Sequence, residues 1–219
     1  MTDPNDRLRT ILEPATTAVL TMELQNGIVG PGGMLPALTE ELGRAGTLET
    51  VLRVCDAARA AGARVVHCTA VSRADGAGAS DNCKIFALAA RQRREQGHGA
   101  TDLGTSGAEL IPGLEDPRDI VVSRLHGMTP FTSTSLDQIL RNLGIKTVVA
   151  TGVSVNLGVY GMMMTALDLG YDVVLVRDAV AGVPAEFAQT VIEQSLSLIS
   201  TVVTSEDLLA VLAEHAPAP

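Results

Sequence analysis

Apolar residues in this chain fall into two kinds of block that alternate from one end to the other. The first kind is a short run of Val, Leu, Ile, Ala and Thr bounded by turn residues, the pattern of a strand covered on both faces. Such runs occupy Ala18-Val-Leu-Thr-Met22, Ala63-Arg-Val-Val-His-Cys-Thr69, Asp119-Ile-Val-Val-Ser123, Thr147-Val-Val-Ala-Thr151, Tyr171-Asp-Val-Val-Leu-Val176 and the shorter Thr201-Val-Val203. The second kind spaces its apolar positions three and four apart. From Thr47 or Glu49 to Ala61, residues Leu48, Val51, Leu52, Cys55 and Ala58 share one helical face, and Gly62 closes the segment. Further helices are predicted over Lys84 to Arg94, Ser135 to Asn142, Gly158 to Leu169, from Pro184 onward, and Glu206 to Ala213. Strands alternating with helices through short turns call for right-handed crossovers. The predicted fold is therefore one α/β domain of three layers, α/β/α, with a six-stranded, mostly parallel, Rossmann-type sheet.

Residues 1–16 read as a polar N-terminal arm with one amphipathic piece, Leu8 to Leu12, and 17–215 as the domain. The segment after the first strand holds Gly30, Pro31, Gly32, Gly33 and Pro36 and reads as a loop. Ser72 to Ser80 and Gly97 to Gly104 read the same way.

Composition narrows the class. At 219 residues the chain suits one well-cored domain. Its apolar share is 46%, with two Tyr, three Phe and no Trp, so the core is aliphatic. A net charge of −9 with scattered basic residues argues against nucleic acid as a partner. The three cysteines, Cys55, Cys68 and Cys83, lack metal-type pairing, and no apolar run reaches the length of a membrane span. A cytoplasmic protein that does not engage membranes is expected. Gly30-Pro-Gly-Gly lacks the Lys-Ser/Thr of a phosphate loop, so no cofactor is expected either.

Three places carry candidate chemistry. The stretch from Val148 to Val159 hands a strand over to a helix at Gly152, which sets a helix N-terminus beside the carboxyl edge of the sheet, where open α/β folds place ligands. The first strand ends at the same edge in Glu23-Leu-Gln-Asn26. A third segment, Arg124-Leu-His-Gly-Met-Thr-Pro-Phe131, has too many special residues for a plain connector. His126 suits acid–base work because it titrates near neutrality, and Arg124 suits clamping a carboxylate.

In these pieces the chain resembles the isochorismatase-like cysteine hydrolases, a group that includes nicotinamidases, N-carbamoylsarcosine amidases and isochorismatases. The resemblance rests on Glu23-Leu-Gln25-Asn26, on Thr129-Pro130-Phe131 with Thr134 and Leu136, on Thr151-Gly152-Val153, and on Gly170-Tyr171 to Asp178-Ala179. It implies a hydrolase whose usual machinery is an Asp after the first strand, a Lys after the third and a Cys nucleophile after the fourth. Here Glu23 takes the first position. Counting back from Phe131 puts the second on Leu125, with Arg124 available if the loop shifts by one. The third is Gly158. Without a side chain there, no thioester forms at that point.

The resemblance also implies a cis Val153–Ser154 bond, and the absence of its metal-binding Asp-x-His pattern near Asp75 implies no catalytic metal. The expected catalytic residues are Glu23, Arg124 and His126. Gln25, Thr129, Phe131, Val153, Ser154 and Gly158 are expected around the substrate, the last three as an anion hole. The function expected is hydrolysis of a small polar or carboxylated molecule, with Glu23 as general acid or base and homo-oligomeric assembly. Two alternatives stand beside it: a binding or structural protein that has lost activity, and an amide hydrolase with a relocated nucleophile such as Cys68. The isochorismatase branch, which by resemblance also carries Gly at the nucleophile position, offers the acid form, in which a protonated carboxyl gives its proton to the enol carbon of a vinyl ether and water adds to the resulting oxocarbenium.

Overall fold

The structure, a computed structural model, describes residues 4–216. In chain order the elements are α1 (Pro4–Ile11), β1 (Thr17–Met22), α2 (Asn26–Val29), α3 (Pro36–Ala45), α4 (Thr47–Ala61), β2 (Arg64–Ala70), α5 (Lys84–Gln96), β3 (Ile120–Arg124), α6 (Leu136–Asn142), β4 (Thr147–Val153), α7 (Gly158–Asp168), β5 (Asp172–Ala181), α8 (Ala185–Gln194), β6 (Thr201–Val203) and α9 (Ser205–His215). All strand pairings are parallel, in the order β3-β2-β1-β4-β5-β6. The six-stranded sheet predicted from the apolar runs is the one observed. From β1 the chain steps outward to β3 and then crosses back to β4, so the switch point of the topology lies between β1 and β4.

Strand alternation divides the core in two. Val19, Val65, Val149 and Val174 pack with α1, α3, α4 and α9 on one side. Leu20, Val66, Val148, Ala150 and Leu175 pack with α6, α7 and α8 on the other, where Met162 and Met163 are fully buried. Among the described residues no helix is long and apolar enough to cross a membrane.

Two segments differ from the sequence-based expectation. The supposed arm contains α1, whose Leu8 is buried, as is Leu12 just after it. Asn5 donates to Asp207 (2.9 Å) and Arg7 pairs with Asp172 (2.6 Å), so α1 is docked on the domain. The Gly/Pro-rich stretch after β1 contains α2 and α3. Proline is tolerated in the first turn of a helix, and Pro36 opens α3, which buries Leu38 and Leu42.

On the α4 side a buried polar chain crosses the sheet. Thr21 Oγ1 lies 2.7 Å from His67 Nδ1, and His67 Nε2 lies 2.9 Å from Asp119, which Arg59 also contacts at 2.6 Å. Burial, opposed by Asp119, pulls His67 below its ordinary value. The ring is therefore neutral at neutral pH. It donates from Nε2 to the Asp119 carboxylate and accepts the Thr21 hydroxyl, while Arg59 balances the Asp119 charge.

Candidate active site

The first candidate residue is held by the end of β1. Glu23 follows Met22 with φ +55°, the one non-glycine residue with positive φ among those described. Its N–H donates to Cys68 O (2.9 Å), and its carbonyl accepts from Gln25 N–H (3.0 Å). This conformation costs a residue with a Cβ about 1–2 kcal/mol. The backbone bonds on either side hold it there.

Arg124 is the last residue of β3, in register with Ala70 at the end of β2, and it is 2% exposed. Its guanidinium reaches across the end of β2 to the Glu23 carboxylate in a hydrogen-bonded ion pair. Nε donates to Gly127 O (2.9 Å) and a terminal nitrogen to Thr69 O (3.4 Å). Burial lowers Arg124 to about 10, still far above neutrality, so the group stays charged. A cation in contact favours the ionised form of Glu23. Of the two residues left open by counting from Phe131, it is Arg124 that meets the carboxylate, while Leu125, 49% exposed, stands beside it at the cavity.

Glu23 and Arg124 form part of the floor of a cavity of about 490 Å³ over the carboxyl ends of β1, β2 and β3. His126, exposed, stands at its wall. Ile28, Met34 and Leu35 form one side, and α5 lies across it with Ile85, Phe86, Ala89 and Ala90. The cavity thus brings Glu23 together with Arg124, 101 positions later in the chain, and with His126 on the segment that follows it.

The other expected residues lie elsewhere. Gln25 is fully buried and its amide is spent on the fold: Oε1 accepts from Ala70 N–H (2.7 Å), and Nε2 donates to Ala70 O (3.0 Å) and Ala108 O (2.9 Å). It ties the ends of β1 and β2 to the loop before β3 and leaves no group for a substrate. Phe131 is in the core, its ring 6.0 Å from that of Tyr171. Thr129 Oγ1 accepts from Phe131 N–H (3.4 Å) within its own turn.

The β4–α7 turn stands apart from this cavity. Its Val153–Ser154 bond is cis, as the resemblance implies. Yet Val153, Ser154 and Gly158 are not among the residues around the cavity. Gly152, with φ +96°, runs so close to β1 that a Cβ would come within 2.4 Å of Met22 O. A Cβ on Gly158 would stand 2.9 Å from Met22 Cε. The buried Met22 side chain therefore packs next to Gly158.

Relocated nucleophiles find no support in the geometry. Cys68 is fully buried, and burial pushes its thiol up to about 12; Cys55 is raised to the same range, burial again dominating. Cys83 is exposed at the start of α5 and is not among the cavity residues. Among the described residues no cluster of three or more His, Cys, Asp or Glu side chains is arranged to hold a metal.

Sequence reasoning missed the part played by α5 and its attachment. Arg93 donates to Ser72 Oγ (2.8 Å) and Ala74 O (2.9 Å) and pairs with Asp102, which also accepts from Gly99 N–H (2.8 Å) and Ser72 Oγ (2.8 Å). Burial acts to raise the Asp102 carboxyl, but these donors outweigh it and hold it below the ordinary range. The available signal was the apolar set 85, 86, 89 and 90, on one face of a helix whose remaining positions are small or polar apart from Leu88.

Comparison with known proteins supplies the kinship. The Isochorismatase domain profile matches residues 17–207. A ureidoacrylate amidohydrolase RutB of Rhizobium rhizogenes is 29% identical over 215 residues, covering 94% of this chain and 87% of that protein. One from Methylorubrum extorquens is 30% identical, covering 95% and 92%. Among solved structures, an isochorismatase family protein from Desulfovibrio vulgaris superposes with a TM-score of 0.77 at 30% identity, covering 90% of this chain and 98% of that one.

Proposed function

The chain belongs to the isochorismatase family of hydrolases, and from that premise we propose that it hydrolyses an amide-type C–N bond of a small molecule without a cysteine nucleophile, using Glu23 as general base. The observation that carries this reading is the Glu23–Arg124 ion pair on the floor of an open cavity. A carboxylate beside a buried guanidinium is kept in the proton-accepting form, which disfavours the acid role and with it the vinyl-ether chemistry that needs a protonated carboxyl.

In the step proposed, Glu23 takes a proton from a water molecule as its oxygen bonds to the carbonyl carbon. Glu23 then returns that proton to the departing nitrogen as the C–N bond breaks, leaving an acid and an amine or urea. Arg124 holds the carboxylate in place throughout and stabilises its charge. His126, at the wall, is placed to meet the substrate's polar group. The names of the curated relatives, ureidoacrylate amidohydrolases, agree with a C–N bond as the target. The backbone strain at Glu23 agrees with a residue held for use rather than for packing.

A second reading has one observation in its favour. An ion pair closed on itself also suits a protein that binds a small molecule and leaves it intact. The deciding experiment is a screen of amides, ureides and vinyl ethers against the wild type and Glu23→Gln. The expected result is turnover of an amide or ureide, reduced about 10²–10⁴-fold in the variant and insensitive to iodoacetamide. Binding without turnover of any class by the wild type establishes the second reading instead.

A further inference from the structure

The sequence suggested a small polar or carboxylated ligand, but the cavity is built for something with a longer apolar part. We propose that its ligand carries an apolar tail of several carbons, seated between α5 and the segment from Ile28 to Leu35, with the hydrolysable head at Glu23. The orientation of the head rests on the proposed function; the tail site rests on the walls alone.

Helix α5 has no buried residue, yet it carries Ile85, Phe86, Ala89 and Ala90. Their spacing sets them on one face, and that face is turned to the cavity rather than to either core layer. Ile28 and Met34 stand among the cavity residues on the segment after β1. Of the charged groups around the cavity, Arg93 is paired with Asp102, Asp75 with Arg73 (2.7 Å) and Glu23 with Arg124, while Asp81 and Arg94, beside α5, and His126 make no ion pair among the described residues. The hollow therefore joins polar groups at its floor and rim to an apolar strip between the α5 face and Ile28, Met34 and Leu35, a combination suited to an amphipathic molecule. Its volume of about 490 Å³ lies within the ~300–1,000 Å³ of sites for drug-sized ligands, more than a head group alone needs.

The test uses n-alkylureas from ethyl to octyl as probes, titrated calorimetrically into the wild type and into Glu23→Gln, in which binding is read with the proposed turnover suppressed. Affinity is expected to rise by up to about fourfold per methylene, the ratio equivalent to about 0.8 kcal/mol, until the cavity is filled, with a negative heat-capacity change. Phe86→Ser is expected to flatten that rise. Leu88→Ser, on the same helix but outside the cavity, is expected to leave it unchanged and controls for damage to α5. Affinity independent of chain length, no binding by any member, tighter binding of ω-carboxyalkylureas than of alkylureas of equal length, or equal effects of the two variants overturns the proposal. Failure of the catalytic reading looks different: the chain-length dependence then survives, in wild type and in Glu23→Gln alike, while no probe or ureide is turned over.

Discussion

The floor and the roof of the cavity are built by opposite means. On the floor, Glu23 and Arg124 extend strands of a parallel sheet, and the backbone around them is fixed by bonds from Glu23 N–H to Cys68 O and from Val71 N–H to Arg124 O, both 2.9 Å. The roof, α5, buries no side chain and is fastened near its C-terminal end through Arg93 to Asp102, Ser72 and Ala74 O. Sheet-borne groups are held to one geometry, as the proposed proton transfer by Glu23 would need. A helix resting on a hollow opens at lower cost than the core, which suits admission and grip of a ligand. The difference teaches that one site can draw reactivity and affinity from regions of unequal stability.

The sharpest way to break this contrast is to remove one charge from each region. Arg124→Met leaves the Glu23 carboxylate unpaired beside a sealed strand end and is expected to cost about 3 kcal/mol of global stability, measured by urea denaturation. Asp102→Asn is expected to leave global stability within about 1 kcal/mol of wild type while hydrogen exchange in α5 quickens at least tenfold. A global loss from the roof variant equal to that from the floor variant removes the distinction.

The same latch has a pH dependence of known sign. Asp102 is held below its ordinary 3.8, so its contribution is complete above that value and is lost as pH falls through the lowered one. The extra mobility of Asp102→Asn at neutral pH should therefore appear in wild type only under strong acid.

A smaller effect tests where the floor ends. Gly158→Cys brings a Cβ against Met22 Cε, the mobile end of a flexible side chain, and is expected to cost about 1 kcal/mol. Met22→Val is expected to relieve that cost in the double variant. A thiol at 158 that reacts with iodoacetamide while Met22 is intact contradicts the separation of this turn from the cavity.

Much of the fold was legible because burial on both faces leaves a plain mark. The Val-rich runs of β1, β2, β4 and β5 and the Leu48-to-Ala58 face of α4 could be read directly, down to Gly62 at the helix end. Segments whose local signals contradicted their structure were not legible. The Pro and Gly residues before α3 masked a helix that is held by packing Leu38 and Leu42. In the site, Glu23 stood out by ending an apolar run at the ligand edge. Gln25 stood out for the same reason, yet it is a tie, and which of the two faces the cavity depends on the positive φ at Glu23.

The sequence by itself determined the alternation of strand and helix, the parallel sheet, and the loss of a side chain at 158, since each follows from residue type and periodicity. Only the tertiary structure decided that Arg124 rather than Leu125 meets Glu23, that Met22 packs next to Gly158, and that α5 roofs a hollow instead of covering core. Those outcomes depend on strand register and on which side chain first fills a given volume, and both are properties of elements brought together from distant parts of the chain.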